Sequence, residues 1–265
     1  MYIHDLNPVL FNFTFLEIRW YSLAYIFGIL IGWWIAKKII IFKIKNKIIT
    51  FDIKLLDDLV SYIIISIILG GRAGYIVFYN FSYYLNNPID IFKIWEGGMS
   101  FHGALIGVII GTYLFSKKIK INTFFFLDIV ACVAPIGIFL GRIANFINSE
   151  LYGKPSNFFW SVIFPKIDMV GRHPSQLYEA FLEGFLLFSI LIITILKKNI
   201  KVGVCSSLFM ILYGIFRILA EQFREPDVQI GHLFNLYSMG SVLSFIMLLA
   251  GLFIFVKIKS YETFK

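Results

Sequence analysis

Residues 124–140 read FFFLDIVACVAPIGIFL, seventeen positions with a single charge, Asp128. A helix of that length rises about 26 Å at roughly 1.5 Å per residue, close to the thickness of a bilayer's hydrocarbon core. Six more stretches of the same character flank it, at residues 20–36, 59–79, 99–115, 177–196, 202–220 and 236–256. None alternates strictly between apolar and polar positions, as barrel strands would. The chain therefore reads as an all-α polytopic membrane protein with seven transmembrane helices. The composition of all 265 residues agrees: 59% are hydrophobic and only 15% charged, where a soluble domain would carry about a quarter. That balance excludes a water-soluble fold and intrinsic disorder. Two cysteines, Cys132 and Cys205, lie within apolar runs. They exclude a disulfide scaffold and read as small buried hydrophobes.

Topology, rather than binding to nucleic acid, accounts for the net charge of +8. Lys37, Lys38, Lys43, Lys45, Lys47 and Lys54 follow the first stretch, and Lys117, Lys118 and Lys120 the third. Lys197, Lys198 and Lys201 follow the fifth, and Lys257, Lys259 and Lys265 the last. These fifteen of the 24 basic residues fall on one side, which the positive-inside rule makes cytoplasmic. The N-terminus is then outside and the C-terminus inside. The first 18 residues hold Asp5 and Glu17 and no Lys or Arg, so the first stretch reads as an uncleaved helix. Residues 9–16 are apolar enough to lie along the interface. Two outer segments exceed tight turns. Residues 80–98 form an aromatic, amphipathic arm (Phe81, Tyr83, Tyr84, Phe92, Trp95) suited to the membrane surface. Residues 142–175, with Pro155, Pro165 and Pro174, are sized for a small external cap and not for an independent domain. Residues 1–265 are thus one transmembrane domain with an arm and a cap.

Charge inside a membrane is expensive, so each polar group at depth needs a reason. In this topology Tyr21, Arg72, His102, Arg142, Asn145, Gln176, Glu179, Glu183, Arg217 and Glu221 fall toward the outer ends of six helices. Their shared depth predicts a polar cavity that opens toward the outer leaflet. Tyr213, Arg217 and Glu221 are spaced i, i+4, i+8 and form one helical stripe. Arg142 and Asn145 share a face if the helix continues past residue 140. Arg142 and Arg217 are suited to hold one phosphate through paired N–H donors. The alternative for each is a structural carboxylate mate, and Glu221 is the obvious one for Arg217. His102, in residues 97–103 (GGMSFHG), combines membrane depth with flanking glycines. Histidine is the natural general base near neutral pH; the alternative is a helix-start histidine bonded to a carbonyl. His173, before Pro174, reads as a loop organiser, while His4 and His232 have no evident context. No His or Cys spacing fits a metal site, and nucleotide-binding glycine signatures are absent.

Residues 141–153, GRIANFINSELYG, resemble the signature of the bacterial prolipoprotein diacylglyceryl transferase family, roughly G-R-x-[GA]-N-F-x-N-x-E-x-x-G. Residues 97–103, 172–179 (RHPSQLYE) and 213–227 (YGIFRILAEQFREPD) resemble the same family, as do Trp20-Tyr21 and residues 70–75 (GGRAGY). The matches keep the family's order and cover essentially the whole chain. The resemblance implies an enzyme of the bacterial inner (cytoplasmic) membrane, with its active site toward the periplasmic leaflet. Such an enzyme moves a diacylglyceryl group from phosphatidylglycerol to the lipobox cysteine thiol in a prolipoprotein signal peptide. A thioether forms, glycerol phosphate leaves, and lipoprotein maturation begins. Membrane lipids surround the enzyme, and no cofactor or metal is implied.

By the same resemblance His102 is the base, and Arg142 and Arg217 stabilise the departing phosphate. Asn145 and Glu150 orient the head group or the loop, Tyr21 and Tyr213 donate hydrogen bonds, and Glu221 fixes Arg217. Arg72 is structural. These roles suit the chemistry. A free thiol has a pKa of about 8.5 and needs a base or a positive field to attack at neutral pH. Preorganised cations stabilise charge that grows on a leaving group. Departures from the family are slight: Ala144 stands where many members have Gly, Ser149 stands where Gly is common, and Arg19 precedes Trp20. Three rival readings remain. Another lipid enzyme would share the arginines and transfer a phosphoryl or acyl group. A transporter would need polar groups through both leaflets, yet the inner halves carry only Asp57, Asp58 and Asp128 near their ends. An intramembrane protease would need an Asp pair or a Ser–His dyad at depth.

Overall fold

The computed structural model describes residues 1–13, 16–94, 97–225, 232–233 and 237–258. Its helices are α1 (Trp20–Lys45), α2 (Leu55–Tyr79), α3 (Phe81–Asn86), α4 (Phe101–Ile119), α5 (Thr123–Asn148), α6 (Ser175–Ile195), α7 (Val204–Glu221) and α8 (Met239–Lys257). Six of them, α1, α2, α5, α6, α7 and α8, are long and apolar enough to cross a membrane. The third apolar stretch is occupied by α4, of 19 residues. The chain forms two compact units, Met1–Ile49 with Asp128–Lys265, and Thr50–Leu127.

In the second unit α2 and α4 pack backbone to backbone. A Cβ on Gly74 would lie 2.6 Å from Gly103 Cα, and one on Gly70 would lie 2.8 Å from Gly107 Cα. Small residues at such a crossing let two membrane helices approach and gain dispersion contact where lipid offers no hydrophobic drive. Asp57 and Asp58 sit in the first turn of α2, where the helix dipole favours them. Ser100 begins α4, its hydroxyl accepting from Gly103 N at 3.2 Å. The arm is α3 followed by a 3₁₀ turn at Pro88–Phe92. Ile89 and Phe92 are each 76% exposed. Trp95 lies outside the described residues.

In the first unit α1 runs nine residues beyond the predicted end at residue 36. Lysine does not stop it because lysine is a good helix former and its charge can turn back over a neighbouring ring. Lys37 Nζ sits 4.0 Å from the Trp33 ring centroid and Lys38 Nζ 5.4 Å from that of Trp34. Gly28 and Gly32 of α1 face Gly137 and Val133 of α5, on either side of Pro135. The start of α7 is capped from α5. Asp128 accepts from Gly203 N (2.6 Å), Ser206 N (2.7 Å) and Ser206 Oγ (2.6 Å), a carboxylate at the positive end of a helix. Gly214 and Gly251 let α7 and α8 meet along their length.

The segments outside the helices contain short strands, which the all-α expectation did not include. Residues 9–16 were expected to lie along the interface. In that stretch β2 (Val9–Phe13) pairs antiparallel with β3 (Leu16–Arg19), after β1 (Tyr2–Ile3). In the cap, β4 (Val162–Ile163) is the middle of a three-stranded sheet, parallel to β1 and antiparallel to β5 (Gly171–Arg172). The N-terminus is thereby part of the cap. The cap itself leaves the helix at Ser149 and not at residue 142, because α5 continues through Asn148.

Candidate functional site

Within the first unit α5, α6, α7 and the turn that follows α7 bring three arginines and three glutamates together. Glu179 and Glu183 of α6 are fully buried. A buried ion costs several kcal/mol in lost hydration and persists only when paired. Glu179 is the centre of the pairing. Its Oε2 lies 2.9 Å from Arg142 Nε, and its Oε1 lies 2.7 Å from Arg217 Nη1 and 3.3 Å from Arg224 Nη1. Glu183 meets Arg142 Nη2 at 3.3 Å and Arg217 Nη1 at 3.6 Å. Glu221 takes Arg217 Nη2 at 2.8 Å. Among the described residues three arginines thus face three glutamates.

The local geometry of α6 serves this pairing. Residues Ala180–Leu186 form a π-helical turn, a feature that often marks functional sites. The wider turn follows Glu179 and contains Glu183. Gly184 within it admits Phe139 of α5, whose Cβ would lie 2.6 Å from an added Cβ.

Arg142 and Arg217 are engaged differently. Both terminal nitrogens of Arg217 rest on carboxylates, so its expected mate Glu221 is one of three. Arg142 uses Nε and Nη2 on Glu179 and Glu183. Its Nη1 has no protein acceptor among the described residues, and the side chain is 17% exposed. Tyr213, one turn before Arg217, is buried, stacks on Phe209 at 5.7 Å and lies within electrostatic reach of Glu183, Arg217 and Arg142. Tyr21 accepts a hydrogen bond from Tyr25 Oη at 2.9 Å, and Tyr25 is within electrostatic reach of Arg142 and Glu150.

The end of α5 holds the other expected pair. Asn145 Nδ2 donates to Glu150 Oε2 at 3.1 Å and Asn148 Nδ2 to Oε1 at 3.3 Å. Gln176 Nε2 donates to the Glu150 carbonyl at 2.6 Å, and Ser175 Oγ to that of Leu151 at 2.9 Å. Glu150 stands between two residues in the left-handed region, Ser149 at φ 60° and Leu151 at φ 55°. Such backbone is disfavoured for residues with a Cβ and is held only where the surroundings enforce it. His4 helps to enforce it. Buried to 4% exposure, it places Nδ1 3.1 Å from Ser149 Oγ and packs on Phe146 and Phe164.

Beyond that turn, Gly153 and Lys154 bridge two parts of the chain. Gly153 N donates to His173 O at 3.1 Å and Lys154 N to Phe223 O at 2.9 Å. Arg172 adds Asp168 at 2.5 Å, Glu225 at 3.3 Å and the Gly153 carbonyl at 3.1 Å. The hydrogen bond from Arg172 holds the Asp168 carboxyl below its usual range. His173 organises the loop as expected, with Nδ1 3.1 Å from Tyr178 Oη.

Sequence reasoning missed Arg224, which reads as a loop cation yet is 4% exposed, and it missed Glu179 as the centre of charge. The i,i+4 spacing of Glu179 and Glu183 was the available signal. His102 is the second residue of α4, and its side chain lies outside the described ones, as does Asp227.

A family model described as prolipoprotein diacylglyceryl transferase matches residues 8–257. Three relatives are named phosphatidylglycerol–prolipoprotein diacylglyceryl transferase. That of Rickettsia conorii is 53% identical over 249 residues, covering 93% of this chain and 95% of its own. That of Rickettsia bellii is 52% identical over 255 residues, covering 96% and 95%. That of Rickettsia typhi is 49% identical over 262 residues, covering 98% and 100%.

Proposed function

The chain belongs to the prolipoprotein diacylglyceryl transferase family, and from that membership we propose that it transfers the diacylglyceryl group of phosphatidylglycerol to a prolipoprotein. The acceptor is the lipobox cysteine thiol. A sulfur–carbon bond forms, the bond from the glycerol carbon to the phosphate oxygen breaks, and glycerol phosphate leaves with the electron pair. The thiol proton passes to a base, for which we take His102. The chain acts as one transferase domain. It crosses the bacterial inner membrane seven times, with α4 as the third crossing, the N-terminus and the cap in the periplasm and the C-terminus in the cytoplasm. The placement of fifteen basic residues on one side supports that orientation, and the buried polar groups support an active site toward the periplasmic leaflet.

Arg142 is the single observation that carries the reading. Two carboxylates hold its guanidinium still while Nη1 meets no acceptor among the described residues. A fixed cation of this kind stabilises charge growing on a phosphate without reorganising when the reaction occurs. Arg217, ion-paired through both terminal nitrogens, acts through its field and by holding Glu179 and Glu183 in place, with Glu221 fixing Arg217. Asn145 and Glu150 brace the turn beside Arg142, and Tyr21 and Tyr213 supply hydroxyls to the lipid head group. The test is intact-mass spectrometry of a lipobox peptide incubated with purified protein and phosphatidylglycerol. A cysteine-dependent gain of one diacylglyceryl group that resists thioester cleavage is expected. No gain with folded protein would overturn the proposal.

A further inference from the structure

Arg72 of α2 is buried to 6% exposure, yet it meets no carboxylate among the described residues. Its partners are backbone carbonyls. Nε donates to Ile91 O at 2.9 Å, and Nη2 to Asp90 O at 2.6 Å. Nη1 donates to Gly97 O at 2.6 Å and to Gly98 O at 3.3 Å. The guanidinium lies over the Tyr84 ring at 5.1 Å. Four of the five N–H donors that a guanidinium carries are occupied, so Arg72 is poorly placed to bind a phosphate. It instead ties the 3₁₀ turn of the arm to the Gly97–Gly98 pair.

That pair is built for the contact. Gly97 and Gly98 have φ of 87° and 77°, values that only glycine adopts without strain, and these turn both carbonyls onto one nitrogen. A Cβ on Gly98 would meet Tyr75 at 2.6 Å and Arg72 Nη1 at 2.9 Å, whereas one on Gly97 would meet open space. Two residues on, Ser100 N donates to the carbonyl of Gly71, the neighbour of Arg72, at 2.8 Å. One turn of α2 thus fixes the whole lead into α4, whose second residue is His102.

We propose that Arg72 is a positioning residue for the transfer reaction: by gathering the carbonyls of residues 90, 91, 97 and 98 it sets the arm and the start of α4, and through them His102. The inference rests on the reading of His102 as the base.

The test compares full-length Arg72→Lys, Gly97→Ala and the double variant in detergent, with phosphatidylglycerol and a lipobox peptide. Each is melted to check folding. Lysine keeps the charge but, as a point donor, cannot reach four carbonyls. Misplacement of a reacting group costs on the order of tenfold to a hundredfold. Arg72→Lys should therefore lose that much in kcat while KM for phosphatidylglycerol moves less than about threefold. Gly97→Ala should fall in the same direction, and the double variant should be no worse than the poorer single. Unchanged kcat in Arg72→Lys, a raised KM at constant kcat, or additive losses would each overturn the inference. If Arg72→Lys does not fold, Gly97→Ala decides alone, full activity being the refutation. A fully active His102→Gln removes the base reading whatever Arg72 does. An inactive His102→Gln beside a fully active Arg72→Lys overturns the Arg72 inference only.

Discussion

Replacing Arg142 by lysine separates the two things that its guanidinium does. It neutralises buried glutamates, through contacts of 2.9 and 3.3 Å, and it keeps one nitrogen without an acceptor among the described residues. Lysine preserves the first in part. The cluster stays neutral, so the 3–5 kcal/mol or so that follows from leaving a buried charge unpaired is not incurred. The stability loss is then the difference between a two-nitrogen and a one-nitrogen contact, about 1 kcal/mol. Lysine cannot preserve the second, because an ammonium bonded to Glu179 has no spare nitrogen aimed elsewhere. Loss of one preorganised donor to a developing oxyanion costs about a hundredfold to a thousandfold in rate. Arg142→Lys should therefore melt within a few degrees of the native protein in detergent and transfer the lipid at less than about a hundredth of its rate. Arg142→Ala should lose both. The assay is initial-rate lipidation of a lipobox peptide beside a detergent melt of the same preparation. An Arg142→Lys variant that retains more than about a tenth of the native rate would refute the claim that Nη1 contacts the leaving phosphate.

Glu179→Gln leaves three arginines facing two glutamates, and should lower stability by about 3–5 kcal/mol in denaturation. A loss under about 1 kcal/mol would show that Glu183 and Glu221 suffice. Ser149→Gly relieves a left-handed backbone worth about 1–2 kcal/mol but gives up the contact with His4, worth about 1 kcal/mol, while Ser149→Ala gives up the contact and keeps the strain. Gly should thus be the more stable of the two, and the reverse order in melting would count against the assignment. Burial lowers the pKa of His4, so the unfolded chain takes up a proton more readily than the fold does. The melting temperature should therefore fall as pH drops below the ordinary histidine value of about 6.5, and His4→Gln should flatten that decline; a native profile that rises toward acid would contradict the burial argument. Arg217→Ala should be rescued in folding by a second exchange, Glu221→Ala, without recovery of activity; recovered activity would reduce Arg217 to a counter-ion.

The apolar stretches were legible because hydropathy and length are read residue by residue, and the long apolar helices fall on them. Their ends were less so. A lysine looks like the end of an apolar run in sequence, yet it is a good helix former, and α1 continues through Lys37 and Lys38 to Lys45. Arg142 and Asn145 were seen to share a face, and the continuation of α5 to Asn148 places them on one helix. Other features depend on contacts between distant residues. The wide turn of α6 has no composition signal. Arg224 looks solvated until Glu179, 45 positions earlier, is seen beside it. His4 had no context because its partner, Ser149, is 145 positions away.

The cancelling charges of the arginine–glutamate cluster constrain how the protein is made. Two of its glutamates sit on α6, while their partners sit on α5, made before it, and on α7, made after it. A carboxylate entering lipid alone carries a penalty of about 2.5–3.5 kcal/mol on insertion scales, so α6 is a poor solitary passenger of the translocation machinery. It gains its first compensation from Arg142, already synthesised, and its full neutrality only when Arg217 arrives. Biogenesis should therefore release these three helices into the bilayer together, as one package, and the ribosome reaches the end of α7 before the polar heart of the enzyme can settle.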